Sequence, residues 1–273
     1  MKKTYTSFLS AITICCSVLL VSCGGSDNNG RPTSGAGQNP DTSLPAGLPV
    51  PDNRFVDTYS LLVFGNSHVR SHHLADLIVQ MIQTGRPGAK ATAELAAGSF
   101  FLDERFTNQN DLLLLQSKTW THLILQGQKY STSGAYFYPT DKTVTWVKAS
   151  KAQQVTPVLF PEHPTAGNKT EGMRVHQLHQ SIQQQESSCL APVGLAWDRA
   201  LELYPQLALH NSDGNHAALE GAFLTALVFY QSITGNNADT LPQLSNIALS
   251  ARSQQQLRQA AAATLQQYPA CPF

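Results

Sequence analysis

Two short stretches carry residues able to pass a proton between them. In Gly65-Asn66-Ser67-His68 a serine stands just past the end of an apolar run, and in Asp213-Gly214-Asn215-His216 a carboxylate and an imidazole stand three residues apart. A serine hydroxyl is a weak nucleophile until a base takes its proton. A carboxylate bound to the imidazole fixes the tautomer that can take it and stabilises the imidazolium that forms. At a strand-to-helix turn, Ser67 would also lie beside unpaired helix N–H groups and positive potential, which favour an oxyanion. Both stretches have plainer readings. Serine at such a turn is a common helix N-cap, and on the tetrapeptide alone that reading comes first. Asp213 can likewise be a cap, with His216 a surface residue. The residues around Ser67 are not Gly-x-Ser-x-Gly, so no strained nucleophile elbow is implied.

Four weaker candidates follow. The Gly98 backbone N–H and the Gln128 side-chain amide are both placed to donate to an oxyanion. The plain alternatives are a turn glycine and a polar loop residue. Glu162-His163 stands after an apolar run and is a candidate lining of a substrate pocket. His72-His73 and the His176/His179 pair invite a metal reading, but neither has a carboxylate or cysteine cluster nearby, so both read as surface or helix histidines. The stretch Tyr136-Phe137-Tyr138 reads as a stacking surface for a sugar or acyl group, or equally as a loop's own small core.

A scaffold must bring residues about 150 positions apart together. Apolar runs at 59–64, 91–95, 121–125, 155–160 and 190–195 read as strands. Helix-like segments lie between them, with two more at 217–233 and 253–267. Near-continuous apolar strands separated by helices predict a parallel sheet covered on both faces, a doubly wound α/β fold. In such folds ligands sit beyond the carboxyl ends of the strands. Ser67, Gly98, Gln128 and Glu162 all fall at such ends.

Taken in order, Gly-Asn-Ser, Gly, Leu-Gln-x-Gln and Asp-Gly-x-His resemble the SGNH (GDSL-like) hydrolases. The late Ala191-Pro192-Val193-Gly194-Leu195-Ala196-Trp197 fits a branch of that family. The resemblance runs from Tyr59 to Gly235. It implies a three-layer α/β/α sandwich with a central parallel sheet, flavodoxin-like in class, and serine ester hydrolysis without metal or cofactor. Ser67 would be the nucleophile, His216 the base and Asp213 its orienter. The N–H groups of Ser67 and Gly98 and the Gln128 amide would form the oxyanion hole. Most such enzymes carry Asn where this chain has Gln128, and the longer side chain needs a different backbone offset.

Residues 1–22 read as an export signal, with Lys2 and Lys3 before an apolar run too short to span a bilayer comfortably. Leu20-Val21-Ser22-Cys23 resembles a bacterial lipobox, with Cys23 as the lipidated residue; Gly24 after it favours the outer membrane. Residues 23–54, rich in Gly, Ser and Pro, read as a flexible linker ahead of a hydrolase domain at 55–273. In an oxidising envelope Cys189 and Cys271 are expected to pair. The whole chain has 18 basic and 18 acidic residues, 13% charged. Losing residues 1–22 removes two lysines and no acid, leaving −2. That charge excludes the basic footprint of a nucleic-acid binder. It suits a neutral ester such as an acylated carbohydrate. A lipid-directed esterase (lysophospholipase or thioesterase) and a non-catalytic binding lipoprotein are the competing readings.

Overall fold

The computed structural model describes residues 44–273. The signal segment, Cys23 and the linker up to residue 43 lie outside the described residues. Five parallel strands form one sheet: β1 (Thr58–Phe64), β2 (Lys90–Leu95), β3 (His122–Gln126), β4 (Thr156–Phe160) and β5 (Cys189–Leu190). Their order is β2-β1-β3-β4-β5. Strand order therefore reverses between β1 and β3, and the carboxyl ends of these two strands flank the switch-point crevice.

Alternation along each strand supplies both faces of the sheet. Leu61, Val63, Ile124, Val158 and Phe160 enter one core with residues of α1 (Leu74–Gly85), α6 (Val193–Leu203), α7 (Leu219–Thr234) and α8 (Ala251–Gln267). Leu62, Phe64, Leu123, Leu125 and Leu159 enter the other. There they meet Leu102 of α2 (Leu102–Thr107), Leu115 of α3 (Gln109–Gln116), Val144, Trp146 and Val147 of α4 (Asp141–Ala152) and Ile182 of α5 (Glu171–Gln185). Each fully buried Leu or Phe is worth roughly 1.5–3 kcal/mol of burial, so the two faces anchor the strands whose ends carry the polar residues. The fold is the expected α/β/α sandwich.

Three details differ from the sequence reading. The fifth apolar run, 190–195, is strand only to Leu190. Pro192 then serves as N-cap, and Val193 to Trp197 open a helix buried at every one of those positions. A short run apolar at each residue looks the same in a buried strand and in a helix packed all round. Between β2 and β3 the chain forms α2 and α3, for which no strong periodicity prepared the reading. Finally, part of the expected linker is bound to the domain. Gly47 N–H donates to Glu186 (3.2 Å), Lys151 Nζ to the Leu48 carbonyl (2.7 Å), Thr156 Oγ1 to the Pro51 carbonyl (2.6 Å) and Asn53 Nδ2 to the Thr121 carbonyl (3.0 Å). At the other terminus a disulfide joins Cys189 in β5 to Cys271.

Candidate active site

The turn after β1 has a shape that few sequences permit. A Cβ on Gly65 would lie 2.3 Å from Gln126 Oε1. The bare glycine lets that oxygen accept from Asn66 N–H at 2.7 Å. Asn66, not Ser67, caps the single helical turn Ser67–Val69, its Oδ1 accepting from His68 N–H at 3.1 Å. The Ser67 hydroxyl is therefore not consumed in capping, and Ser67 is exposed to the crevice.

The second stretch forms a tight turn, with Gly214 at φ 68° and the Asn211 N–H bonded to the His216 carbonyl at 2.8 Å. Asp213 Oδ1 accepts from the N–H groups of Asn215 and His216, both at 2.9 Å. Its Oδ2 lies 2.6 Å from His216 Nδ1, and His216 Nε2 lies 2.8 Å from Ser67 Oγ. Those donors, the Asn215 N–H first and the His216 ring next, hold the Asp213 carboxyl well below the usual carboxylate range. Asp213 does not cap α7, whose N-cap is Ala218. Serine, imidazole and carboxylate thus form one continuous chain of hydrogen bonds, with the carboxylate on the nitrogen remote from the serine.

Gly98 is fastened to the same turn. Its carbonyl accepts from Arg70 (2.5 Å) and from buried Arg105 (3.1 Å). Arg105 also reaches the Gly65 carbonyl at 2.7 Å and pairs with Asp111 at 3.0 Å. Phe100 N–H donates to the Gly65 carbonyl at 3.4 Å. These bonds tie the loops after β1 and β2 together and hold the backbones of Ser67 and Gly98 side by side.

Gln128 is not available to that pair. Its amide N–H groups donate to the carbonyls of Lys129 (2.8 Å) and Pro139 (3.1 Å), and its oxygen accepts from Thr143 Oγ1 at 2.6 Å. Gly127, at φ 100°, swings the chain so that the next side chain is spent on its own loop and on α4. The expected third oxyanion donor is thereby removed.

Glu162 and His163 do not line the pocket either; they are 7% and 4% exposed. His163 stacks on Trp197 with centroids 3.7 Å apart, and its Nε2 meets the Asn215 carbonyl at 2.9 Å. Glu162 meets Gln126 Nε2, His68 Nε2 (3.5 Å) and Tyr130 OH (3.4 Å). Burial pushes Glu162 up to about 7. Burial lowers His68 to about 4 and His163 to about 3, so both rings are neutral near pH 7. His68 stacks 5.1 Å from His216 and adds no competing positive charge.

Of the histidine pairs, His72 and His73 are exposed, and His176 and His179 are buried in α5. Among the described residues no group of three or more His, Cys, Asp or Glu is arranged to hold a metal. Tyr136, Phe137 and Tyr138 are exposed on the loop after β3, Phe137 almost completely. A cavity of about 610 Å³ is lined by Asp198, His210 and Tyr268 among others and contains none of Ser67, Asp213 and His216. Ser67 and Asp213 are exposed and His216 is half-buried.

Sequence reading missed Gln126, His68, Arg70, Arg105, Tyr130 and Glu171. Gln126 had a signal, being a polar residue at the carboxyl end of a buried strand. Arg105 had none, because Asp103-Glu104-Arg105 looks like a solvated helix face.

No protein-family model matches the sequence, and no curated protein does. Solved structures do match. A candidate SGNH hydrolase from Slackia heliotrinireducens aligns with TM-score 0.52 at 18% identity, covering 64% of this chain and 98% of that one. A DUF4886 family protein from Bacteroides uniformis aligns with TM-score 0.59 at 14% identity, covering 78% and 96%. The domain has the SGNH-hydrolase fold.

Proposed function

We propose that this protein is a serine ester hydrolase that removes short acyl groups, such as acetyl, from a carbohydrate, and that it is lipid-anchored in a bacterial envelope. The observation that carries the catalytic reading is the relay Asp213–His216–Ser67, with a 2.6 Å contact inside the 213–216 turn and a 2.8 Å contact from His216 to Ser67, 149 residues away in sequence. Ser67 Oγ attacks the ester carbonyl carbon and gives its proton to His216 Nε2. Asp213 stabilises the resulting imidazolium through Nδ1. The negative oxygen is met by the backbone N–H groups of Ser67 and Gly98. His216 then returns the proton to the departing alcohol, and water, activated by the same base, hydrolyses the acyl-serine.

The exposure of Ser67 and Asp213 favours a small acyl group on a bulky alcohol. A chain longer than a few carbons would have little to bury it, and apolar burial supplies roughly 0.8 kcal/mol per methylene. The anchor reading rests on the sequence around Cys23, and labelling with a palmitate analogue that survives Cys23→Ala would refute it. The exposed aromatic tip at 136–138 favours a second reading, a lipid-directed esterase.

A fluorophosphonate probe is expected to label the wild type and not Ser67→Ala. Hydrolysis of nitrophenyl esters should be fastest for acetyl and fall with chain length. A maximum at eight carbons or more would select the lipid-directed reading. A folded wild type that neither takes the probe nor cleaves esters would refute the enzyme.

A further inference from the structure

We propose that Glu162 is a positioning residue for the nucleophile turn: through Gln126 it holds the Asn66 amide, and through His68 it holds the ring that stacks on His216. The proposal rests on the esterase reading above. Each link is a contact of the structure. Gln126 Nε2 donates to Glu162 Oε1, which leaves Gln126 Oε1 directed at Asn66 N–H, 2.7 Å away. An amide has one donor end and one acceptor end. By occupying the donor end, Glu162 decides which end faces the turn. If the amide reversed, two N–H donors would confront each other at Asn66, next to Ser67. Gly65 leaves no slack, since a Cβ there would overlap Gln126 Oε1. The second link runs from Glu162 Oε2 to His68 Nε2, 3.5 Å away, and from the His68 ring to His216 at 5.1 Å.

Glu162 cannot touch an ester in the crevice, because it is buried beneath the turn. That separates it from Ser67 and His216, and it replaces the pocket-lining role expected from sequence. Its other neighbours are Tyr130 OH at 3.4 Å and, sharing that hydroxyl at 3.2 Å, Glu171 of α5. Burial, reinforced by the Glu171 charge, opposes its ionisation, while the Gln126, Asn66 and Tyr130 side chains favour it. Gln126 accepts no proton from Glu162, so a proton on Glu162 resides on Oε2, toward His68 and Tyr130. Losing it places a negative charge under the ring that stacks on His216. That charge favours the imidazolium formed in the transition state, so activity gains as pH rises through the range where Glu162 ionises. Protonation of Glu162 and of His216 then both depress the rate, and the acid limb of the wild type is steeper than one proton allows.

The experiment measures kcat and KM for nitrophenyl acetate against pH in the full chain. The proteins compared are the wild type, Glu162→Ala, Glu162→Gln and Ser67→Ala. Glu162→Ala should lower kcat about 10–100-fold with KM within about twofold, the size expected when a reacting group is misplaced by about an ångström. Glu162→Gln keeps an oxygen for Gln126 and should recover most of that loss. Its acid limb should fall to the slope of a single proton. Should Glu162→Ala not fold, the shallower limb of Glu162→Gln carries the test. Wild-type kcat and an unchanged pH profile in Glu162→Gln would overturn the proposal. So would a loss that falls on KM, which would make Glu162 a substrate contact. Wild-type activity equal to that of Ser67→Ala would overturn the esterase reading, and the positioning role with it.

Discussion

Asp213→Asn tests the relay more sharply than removal of the side chain does. The carboxylate makes two kinds of bond at once. Oδ1 accepts from two backbone N–H groups at 2.9 Å, and Oδ2 meets His216 Nδ1 at 2.6 Å. An asparagine has one oxygen to offer. Placed toward His216, it would turn its NH2 into the two backbone donors. Placed toward the backbone, it keeps both of those bonds and presents NH2 to Nδ1. The second arrangement wins, two acceptor bonds against one. It fixes the imidazole with its proton on Nε2, so His216 can no longer accept from Ser67. A wrong tautomer of this kind costs about 10⁴-fold in kcat. Asp213→Ala loses the charge-assisted bond as well, but leaves Nδ1 to water, and the side chain is already 48% exposed. The ring can then still adopt the productive tautomer, and the loss should be about 10²-fold, the worth of one such bond.

Stability should run the other way. Asp213→Asn retains the turn's backbone bonds and should melt close to wild type, while Asp213→Ala gives them up and should melt lower. The assay is kcat on nitrophenyl acetate beside a thermal melt for each variant. The more stable variant is expected to be the less active. If Asp213→Asn is as active as Asp213→Ala, the turn does not dictate the tautomer, and the reasoning fails.

Three other expectations concern the scaffold. His122, His163 and His179 are buried, with pKa values lowered by burial to about 3, 3 and 4. The unfolded chain therefore binds more protons below about pH 6.5, so stability is level above that pH and lost as pH falls toward 3. Each contributes about 1.4 kcal/mol per pH unit; Glu162, raised to about 7, opposes them between about 4.5 and 7. A melting temperature no lower at pH 5 than at pH 7.5 would contradict this. Cys271→Ser opens a disulfide spanning 82 residues and should cost about 4.5 kcal/mol by loop entropy, read as a lower urea midpoint in non-reducing buffer. Arg105→Met strands Asp111 and releases the carbonyls of Gly65 and Gly98. It should cost roughly 3–5 kcal/mol of stability and lower kcat more than it raises KM.

What sequence made legible was position, and what it left hidden was direction. The strands could be read because apolar runs must cover both faces of a parallel sheet, and their carboxyl ends then named where chemistry would sit. Ser67, Asp213 and His216 could be found because their key partners lie within a turn or at a strand end. The same rule placed Gln128 and Glu162 at the crevice, and there it failed. One positive-φ glycine turns Gln128 onto its own loop, and Glu162 points down among Gln126, His68 and Tyr130. A residue at a strand end faces the ligand or the support beneath it according to packing that no local pattern encodes. The α6 segment shows the same limit in the backbone: its buried apolar run satisfies strand and helix alike until Pro192 and the neighbouring helices decide. The support network is the least legible part for a physical reason. Its bonds join residues 36 positions apart, as in Gln126–Glu162, or 40, as in Gly65–Arg105. Each costs desolvation unless its partner is present. Such pairs come into being only when the sheet assembles, and it is they that decide whether a serine at the end of β1 is a cap or a nucleophile.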